Sequence, residues 1–200
     1  MLPRTIQELI KQFSSLPGVG PRMATRYIFY LLHQDHRQVD SLIKGLQGLK
    51  KIKLCSECFA PFNPARKEEK QCPICRDSTR NSHLLCVVEK ETDLYSVEAT
   101  ASYRGLYFLI GPAESWFKRK DSSKKAKKLV AKIKKTSPKI KEVVLAVNYT
   151  AEGQALRSYL ENLLEPFPIK ITHIRQGLPL GSELEYADQE TLRQALQERE

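Results

Sequence analysis

The amino-acid sequence predicts an α/β protein with an N-terminal helical hairpin, a small cysteine-rich segment, a parallel sheet and a C-terminal helical tail. Three observations support this fold class. Apolar residues recur at helical spacing through the first quarter of the chain, and residues 54–83 contain four cysteines without apolar periodicity. From residue 84 onward, short apolar runs alternate with helical patterns, which is typical of parallel βαβ units.

The N-terminal region is predicted to hold three helices. The first shows one apolar stripe through Ile6, Leu9, Ile10 and Phe13, and Thr5 with Glu8 has the spacing of a capping box. A second helix is predicted over Arg22–His33, with Pro21 in the first helical position. A third, shorter helix is expected within residues 39–52.

Between the first two helices lies the turn Leu16-Pro-Gly-Val-Gly-Pro. Gly18 and Gly20 permit positive φ and a close backbone approach, and the following helix begins with unpaired N–H groups at the positive end of its dipole. Arg22 and Arg26 are four residues apart and share a face. The pattern favours sequence-independent contact with DNA phosphates, and an ordinary helical hairpin is the alternative.

Four cysteines form two pairs, each with two residues between its members, and thirteen residues separate the pairs. Two such turns can place four thiolates about 2.3 Å from a zinc ion. Disulfides or a catalytic dithiol are the alternatives. A closed four-thiolate site has no open position for chemistry, so we expect structural zinc. The predicted ligands are Cys55, Cys58, Cys72 and Cys75, whereas Cys86 is expected in the core.

Past the cysteines, strands and helices are predicted to alternate. The strands are expected to be buried on both faces because their residues are almost all apolar. The predicted strands are Leu84–Val88, Leu106–Ile110, Val143–Val147 and Ile169–Ile174, and the predicted helices are 92–102, Ser123–Thr136, Ala151–Leu164 and a polar tail over Gln189–Arg199.

The net charge of +10 is unevenly distributed. Residues 1–54 carry +6, Lys118–Lys141 carries +11, and residues 142–200 carry −5. The lysine-rich stretch is predicted to be a helix whose apolar stripe packs on the sheet. Its lysines are predicted to form either a solvated face or a surface that follows DNA phosphates, and membrane binding is the third hypothesis. The sequence shows neither a membrane span nor a targeting segment, so we expect a cytoplasmic protein.

Four motifs in this order resemble the RecR family of bacterial recombination mediators over essentially the whole chain. They are the glycine turn with Arg22 and Arg26, the four cysteines, Val87-Val-Glu-Lys with Tyr103-Arg-Gly-Leu-Tyr, and the segment from Gly177 to Leu192. The resemblance implies a helix-hairpin-helix region at 1–53, a zinc finger at 54–83, a Toprim domain at 84–177, and a Walker B-like segment with a helix at 178–200.

The resemblance also implies a ring-like homotetramer that encircles DNA and acts with RecO and RecF to load recombinase at gapped DNA. One departure from the family is the loop at 111–120, which lacks the expected glycine-rich, Ser-Pro-Leu-Asp-like stretch. The density of lysines at 120–135 is another.

A catalytic Toprim domain holds magnesium with a glutamate and an Asp-x-Asp pair. Here Glu89 takes the first place, but Asn148 and Thr150 stand where the two aspartates would be. We therefore expect no enzyme, with a magnesium-dependent primase or nuclease as the alternative and a protein-binding zinc-ribbon adaptor as a third hypothesis. Glu89 and Glu152 are predicted partner contacts, and Tyr149 is expected to pack rather than act as a nucleophile.

Overall fold

A computed structural model describes residues 2–116, 120–136, 140–175, 177–178 and 180–197 of the chain. The chain divides into two compact units, residues 1–52 and residues 53–200, which we call unit 1 and unit 2. Within the described ranges, no helix is long and apolar enough to cross a membrane.

Unit 1 consists of three helices and a short 3₁₀ turn. Helix α1 spans Arg4–Ser14, α2 spans Pro21–Leu32 and α3 spans His36–Gly48, and the 3₁₀ turn covers Leu49–Lys51. Pro21 is the first residue of α2, as the sequence predicted. Helix α3 begins earlier than predicted because the Asp35 side chain accepts a hydrogen bond from the Arg37 N–H at 2.9 Å and caps it.

The predicted capping box of α1 is wrong. The residue that precedes the helix is Pro3, no side chain caps the helix, and Thr5 already lies inside the first turn. Glu8 instead pairs with Arg4, whose Nε lies 2.9 Å from Oε1. The apolar stripe predicted the helix correctly, but the helix begins directly after Pro3, one residue before the predicted cap Thr5.

Unit 2 opens with a small antiparallel hairpin and one helical turn. Strand β1 is Lys53–Leu54, β2 is Pro61–Phe62, and the four-residue helix α4 is Pro73–Arg76. Strands of two residues carry no readable periodicity, so the sequence did not predict them.

The rest of unit 2 is the predicted parallel sheet with helices between its strands. Strands β3 to β6 are Asn81–Val88, Gly105–Leu109, Glu142–Ala146 and Lys170–His173. Their order is β4-β3-β5-β6, and every pair is parallel. The connecting helices are α5 (Glu91–Ala99), α6 (Ala113–Trp116), α7 (Lys120–Thr136) and α8 (Ala151–Leu164).

Each face of the sheet packs against a different layer. Alternate residues of β3 point in opposite directions, so Leu85 and Val87 belong to one buried cluster while Cys86 and Val88 belong to another. The first cluster also contains Leu129 of α7 and Leu156 of α8. The second contains Leu94 of α5 and three of the four paired cysteines. The cysteine-rich segment therefore packs on the sheet within unit 2.

The C-terminal segment forms a 3₁₀ turn over Leu184–Tyr186 and helix α9 over Gln189–Gln197. The expected Walker B-like strand does not form in the described residues 180–188, since the chain there turns instead of extending. The sequence contains a divergent loop at 111–120 and a lysine-rich stretch at 118–141. Residues 117–119 and 137–139 of these stretches lie outside the described residues.

Candidate metal centre and nucleic-acid interface

The structure brings the four predicted metal ligands together. The Sγ atoms of Cys55, Cys58, Cys72 and Cys75 all lie within 4.8 Å of one another. A zinc ion with four thiolates at about 2.3 Å has sulfur atoms about 3.8 Å apart, so this spacing fits a tetrahedral site. The β1–β2 hairpin supplies the first pair and the start of α4 supplies the second.

Backbone groups around the cluster favour sulfur in its anionic form. The Ala60 N–H points to Cys58 Sγ at 3.4 Å, and the Cys72 N–H points to Cys55 Sγ at 3.3 Å. Hydrogen bonding among the four thiols lowers the pKa of Cys55 and raises the pKa of Cys58 and Cys75. The two backbone N–H groups and the closeness of the four sulfur atoms are therefore the features that suit metal coordination. By contrast, burial raises the pKa of Cys86 to about 12, and that thiol lies in the sheet core as predicted.

The first cysteine turn is attached directly to the edge of the sheet. The Leu109 N–H of β4 donates a hydrogen bond to the Cys58 carbonyl at 2.9 Å. Phe59, which follows Cys58, has a positive φ of 64° and packs edge-on against Phe108 with ring centroids 5.4 Å apart. Sequence reasoning missed Phe59, because its role depends on contacts with residues far away along the chain.

The glycine turn of unit 1 leaves the start of α2 open. Gly18 has a φ of +76°, a conformation that side chains other than glycine rarely adopt. Gly20 precedes α2, and within the described residues no side chain caps that helix end. A Cβ added at either glycine would meet nothing within 4 Å. The backbone at this turn can therefore approach a flat or convex ligand closely.

Arg22 and Arg26 lie on the first turns of α2, and both are exposed. Together with the open N–H groups of the helix start, they form a cationic surface with oriented donors. Such a surface suits phosphate oxygens. We call Gly18, Gly20, Arg22 and Arg26 the hairpin site.

At the carboxyl end of the sheet, Glu89 has a position that differs from its prediction. Its side chain is only 2% exposed. Its two carboxylate oxygens accept hydrogen bonds from backbone N–H groups, one from Ala113 at 2.9 Å and one from Asn148 at 2.6 Å. The expectation that Glu89 contacts a partner from an exposed strand end is therefore corrected: it joins the loops that follow β4 and β5.

The residues after β5 also have structural roles. Thr150 precedes α8, and its hydroxyl accepts a hydrogen bond from the Gly153 N–H at 3.1 Å. Gly153 is required at this place, since an added Cβ would lie 1.9 Å from the Asn148 carbonyl oxygen. The Tyr149 hydroxyl donates to the Ile174 carbonyl, which ties the β5 loop to the end of β6. Glu152 is exposed in the first turn of α8.

Comparison with protein families gives three matches that together span most of the chain. Residues 6–49 match the RecR helix-hairpin-helix, residues 83–175 match the Toprim domain, and residues 177–200 match the RecR C-terminal region.

Individual relatives match over nearly full length. The chain is 38% identical to the recombination protein RecR of Chloroherpeton thalassium over 198 residues, which is 97% of this chain and 95% of that protein. It is 38% identical to that of Bifidobacterium adolescentis, covering 96% of this chain and 93% of the relative. The Thermobifida fusca protein is 37% identical, with 100% and 98% covered.

Proposed function

The chain belongs to the RecR family of recombination proteins, and from that premise we propose that it is a non-enzymatic, zinc-stabilised mediator that binds DNA without sequence preference. In this proposal it acts in DNA repair with RecO and RecF to promote recombinase loading at gapped DNA. The partners and the loading step follow from the family resemblance. The geometry of unit 1 supports the DNA-binding step.

The hairpin site is the observation that carries the proposal. DNA backbone phosphates need donors and positive charge, and they carry no base identity. The uncapped start of α2 supplies the donors, Arg22 and Arg26 supply the charge, and the two glycines keep side chains out of the way. We infer that a phosphate lies at the first turn of α2 and that its neighbours contact the arginines.

For the metal, we propose one structural zinc ion held by Cys55, Cys58, Cys72 and Cys75. The convergence of four sulfur atoms supports it, and two symmetric cysteine turns favour zinc over an iron–sulfur cluster. Four protein ligands leave no position for water, so the ion would stabilise the fold and take no part in chemistry. Its place against β4 would make it part of the architecture of unit 2.

The absence of catalysis is proposed from the strand ends of the sheet. Magnesium requires several carboxylate oxygens, and Asn148 and Thr150 bring no negative charge. Both oxygens of Glu89 already accept backbone N–H groups, and the Thr150 hydroxyl serves as a helix cap. A cation at this edge would compete for carboxylate oxygens whose hydrogen bonds hold two loops. The exposed Glu152 is the residue that we propose as a contact for a basic partner.

Assembly into a ring-like homotetramer is the remaining part of the proposal. Unit 1 has an apolar cavity of about 390 Å³ that is lined by all three of its helices. In the C-terminal segment, Leu184 and Tyr186 are exposed by 64% and 79%. Apolar surfaces of this kind favour association between subunits. They lie in the N-terminal and C-terminal segments, through which the family resemblance implies that the ring is assembled.

The experiment that tests the proposal replaces both arginines of the hairpin site. Arg22→Ala with Arg26→Ala should weaken binding to a gapped duplex and lower the slope of log affinity against log salt by about 1.8, since each lost phosphate contact contributes about 0.9. Affinity is measured by fluorescence anisotropy over a salt series. Labelled DNA is incubated in parallel with protein and magnesium to detect cleavage.

The matched control is Arg37→Ala with Lys44→Ala, which removes two exposed positive charges from α3 of the same unit. If the control lowers the slope as much as the hairpin variant, general charge attraction explains binding and the hairpin site is refuted. DNA cleavage that disappears in Glu89→Gln would instead favour the magnesium-dependent enzyme.

A further inference from the structure

Helix α7 is the most densely charged element of the protein, and the hairpin site does not involve it. Eight lysines and a single aspartate occupy the seventeen residues of Lys120–Thr136. Its apolar side is covered by the sheet, because Ala126, Leu129 and Ile133 are exposed by 4%, 0% and 1%. The helix therefore cannot insert an apolar face into a membrane, and any partner must meet its lysines.

One group of these lysines is anchored on the first cysteine turn. Lys125 and Lys128 place Nζ over the Phe59 ring, at 5.2 and 4.7 Å from its centroid. Lys132 Nζ lies 3.4 Å from the Glu57 carbonyl oxygen and 3.3 Å from its carboxylate. These contacts, together with the buried stripe, fix the rotation of α7 about its own axis.

That rotation places a second group of lysines toward solvent. Lys124, Lys127, Lys134 and Lys135 are exposed and share an arc of about 120° opposite the buried stripe, given 3.6 residues per turn. We call these four residues the lysine row. Lys134 lies 5.9 Å from the Phe167 ring centroid, and Lys127 and Lys135 form no ion pair with any residue in the described ranges.

In three other helices a cationic side chain pairs with a carboxylate of the same helix. Arg4 pairs with Glu8 in α1, Arg157 with Glu161 in α8, and Arg193 with Glu190 in α9. Helix α7 has no glutamate and only Asp121 at its start. Lysines three or four residues apart on one helix repel one another by a few tenths of a kcal/mol per pair, and an anionic ligand would relieve that repulsion.

We propose that the lysine row is a second DNA-binding surface that contacts the phosphate backbone of duplex DNA. From residue 124 to residue 135 the helix rises about 17 Å, and duplex DNA of that length carries about ten phosphate charges. A protein partner would need apolar or aromatic anchors in the centre of its interface, and none lies between the lysines of the row, where Ala131 is the exposed residue. A polyanion needs none.

The test neutralises Lys127 and Lys135, the two lysines of the row that have neither an ion pair nor a ring contact within the described ranges. Lys127→Gln with Lys135→Gln should lower the slope of log affinity against log salt for a duplex by about 1.8. The same decrease is expected when the change is made in the Arg22→Ala, Arg26→Ala protein, because independent sites contribute additively. Measuring both backgrounds separates this inference from the hairpin site, since either effect can fail without the other.

The matched control is Lys141→Gln with Lys170→Gln, which removes the same charge from exposed lysines of unit 2 at the start of β5 and β6. Unfolding followed by Trp116 fluorescence verifies that all variants fold, and single-stranded DNA of equal length shows whether the surface prefers the duplex. If the slope of log affinity against log salt falls as much in the control as in the lysine row variant, the proposal is refuted. It is also refuted if the slope falls in neither variant.

Discussion

The two units of the chain differ in how completely each buries its apolar residues. In residues 2–52 only Ala24 and Ile28 are buried, while leucines and isoleucines of α3 such as Leu42, Ile43 and Leu46 are exposed by 42–55%. In unit 2, the strands β3, β4 and β5 and the helices α7 and α8 all contribute buried side chains to one apolar cluster. Unit 2 therefore covers its apolar core within one copy of the chain, whereas unit 1 leaves apolar faces of its helices exposed.

The largest expected effect is in unit 2, from loss of a metal ligand. Cys58→Ser should destabilise this unit by more than about 5 kcal/mol, because structural zinc contributes its binding free energy to folding. The serine keeps the backbone carbonyl that accepts the Leu109 N–H, so the loss reflects the missing thiolate alone. Chemical denaturation followed at Trp116, the single tryptophan and a buried residue of unit 2, measures the loss.

Cys86→Ala is the control for this prediction, since it removes a buried thiol that is not part of the cluster. It should cost about 1–2 kcal/mol through the small cavity that it leaves, with bound zinc unchanged. Zinc content measured by mass spectrometry shows which of the two substitutions removes a metal ligand. Equal zinc in the Cys58→Ser protein and the wild type would contradict the metal assignment.

The sequence allowed the four-cysteine cluster and the sheet to be predicted because both depend on short-range patterns. Two cysteine pairs and four apolar runs are local signals, and the structure places all of them as expected. The position of Glu89 could not be predicted in this way. Its burial follows from backbone N–H groups of Ala113 and Asn148, which are 24 and 59 residues away and meet it only once β4 and β5 flank β3.

The same limit explains the remaining differences. The contacts of Lys125 and Lys128 with Phe59 connect residues more than sixty positions apart, so the sequence showed only a run of charge. Spacing predicted the hairpin turn well, because Gly18 and Pro21 determine local backbone geometry. Local backbone geometry and short motifs can thus be predicted from the sequence. The partner of a buried polar group cannot, because it depends on how the strands and helices are arranged.

A pair of glycines sharpens the comparison of the two units. Gly153→Ala should destabilise unit 2 by about 3 kcal/mol, because its Cβ would lie 1.9 Å from a backbone oxygen in a region where the Asn148 loop is held by Glu89. Gly45→Ala lies within α3 of unit 1, where nothing lies within 4 Å, and should stabilise that helix by about 1 kcal/mol.

Denaturation at Trp116 measures the first substitution, and amide hydrogen exchange in α3 measures the second. The matched substitutions differ only in their surroundings, so opposite signs are the expected outcome. If both variants changed stability in the same direction, the contrast between a tightly packed unit 2 and an open unit 1 would be wrong.

A smaller effect than that of Gly153→Ala concerns the open apolar surface of unit 1. Leu42→Glu with Leu46→Glu places two charges on the cavity lined by Ile6, Leu9 and Phe13. Because association would then require burying carboxylates without partners, we expect subunit affinity to fall about 100-fold, or about 2.7 kcal/mol. Light scattering over a concentration series measures the change, and unfolding of unit 2 at Trp116 should be unaffected.

Gln38→Glu with Gln47→Glu adds the same two charges to exposed polar positions of α3 and should leave the assembly unchanged. A lower molar mass of the assembly in the leucine variant, but not in the glutamine variant, would mean that a second copy covers the exposed leucines and completes the core of unit 1. An unchanged mass in both variants would mean that unit 1 is stable with its apolar residues in water. In that case its α1–α2 contact and the two buried residues of α2, Ala24 and Ile28, would have to be sufficient to hold the hairpin site in shape.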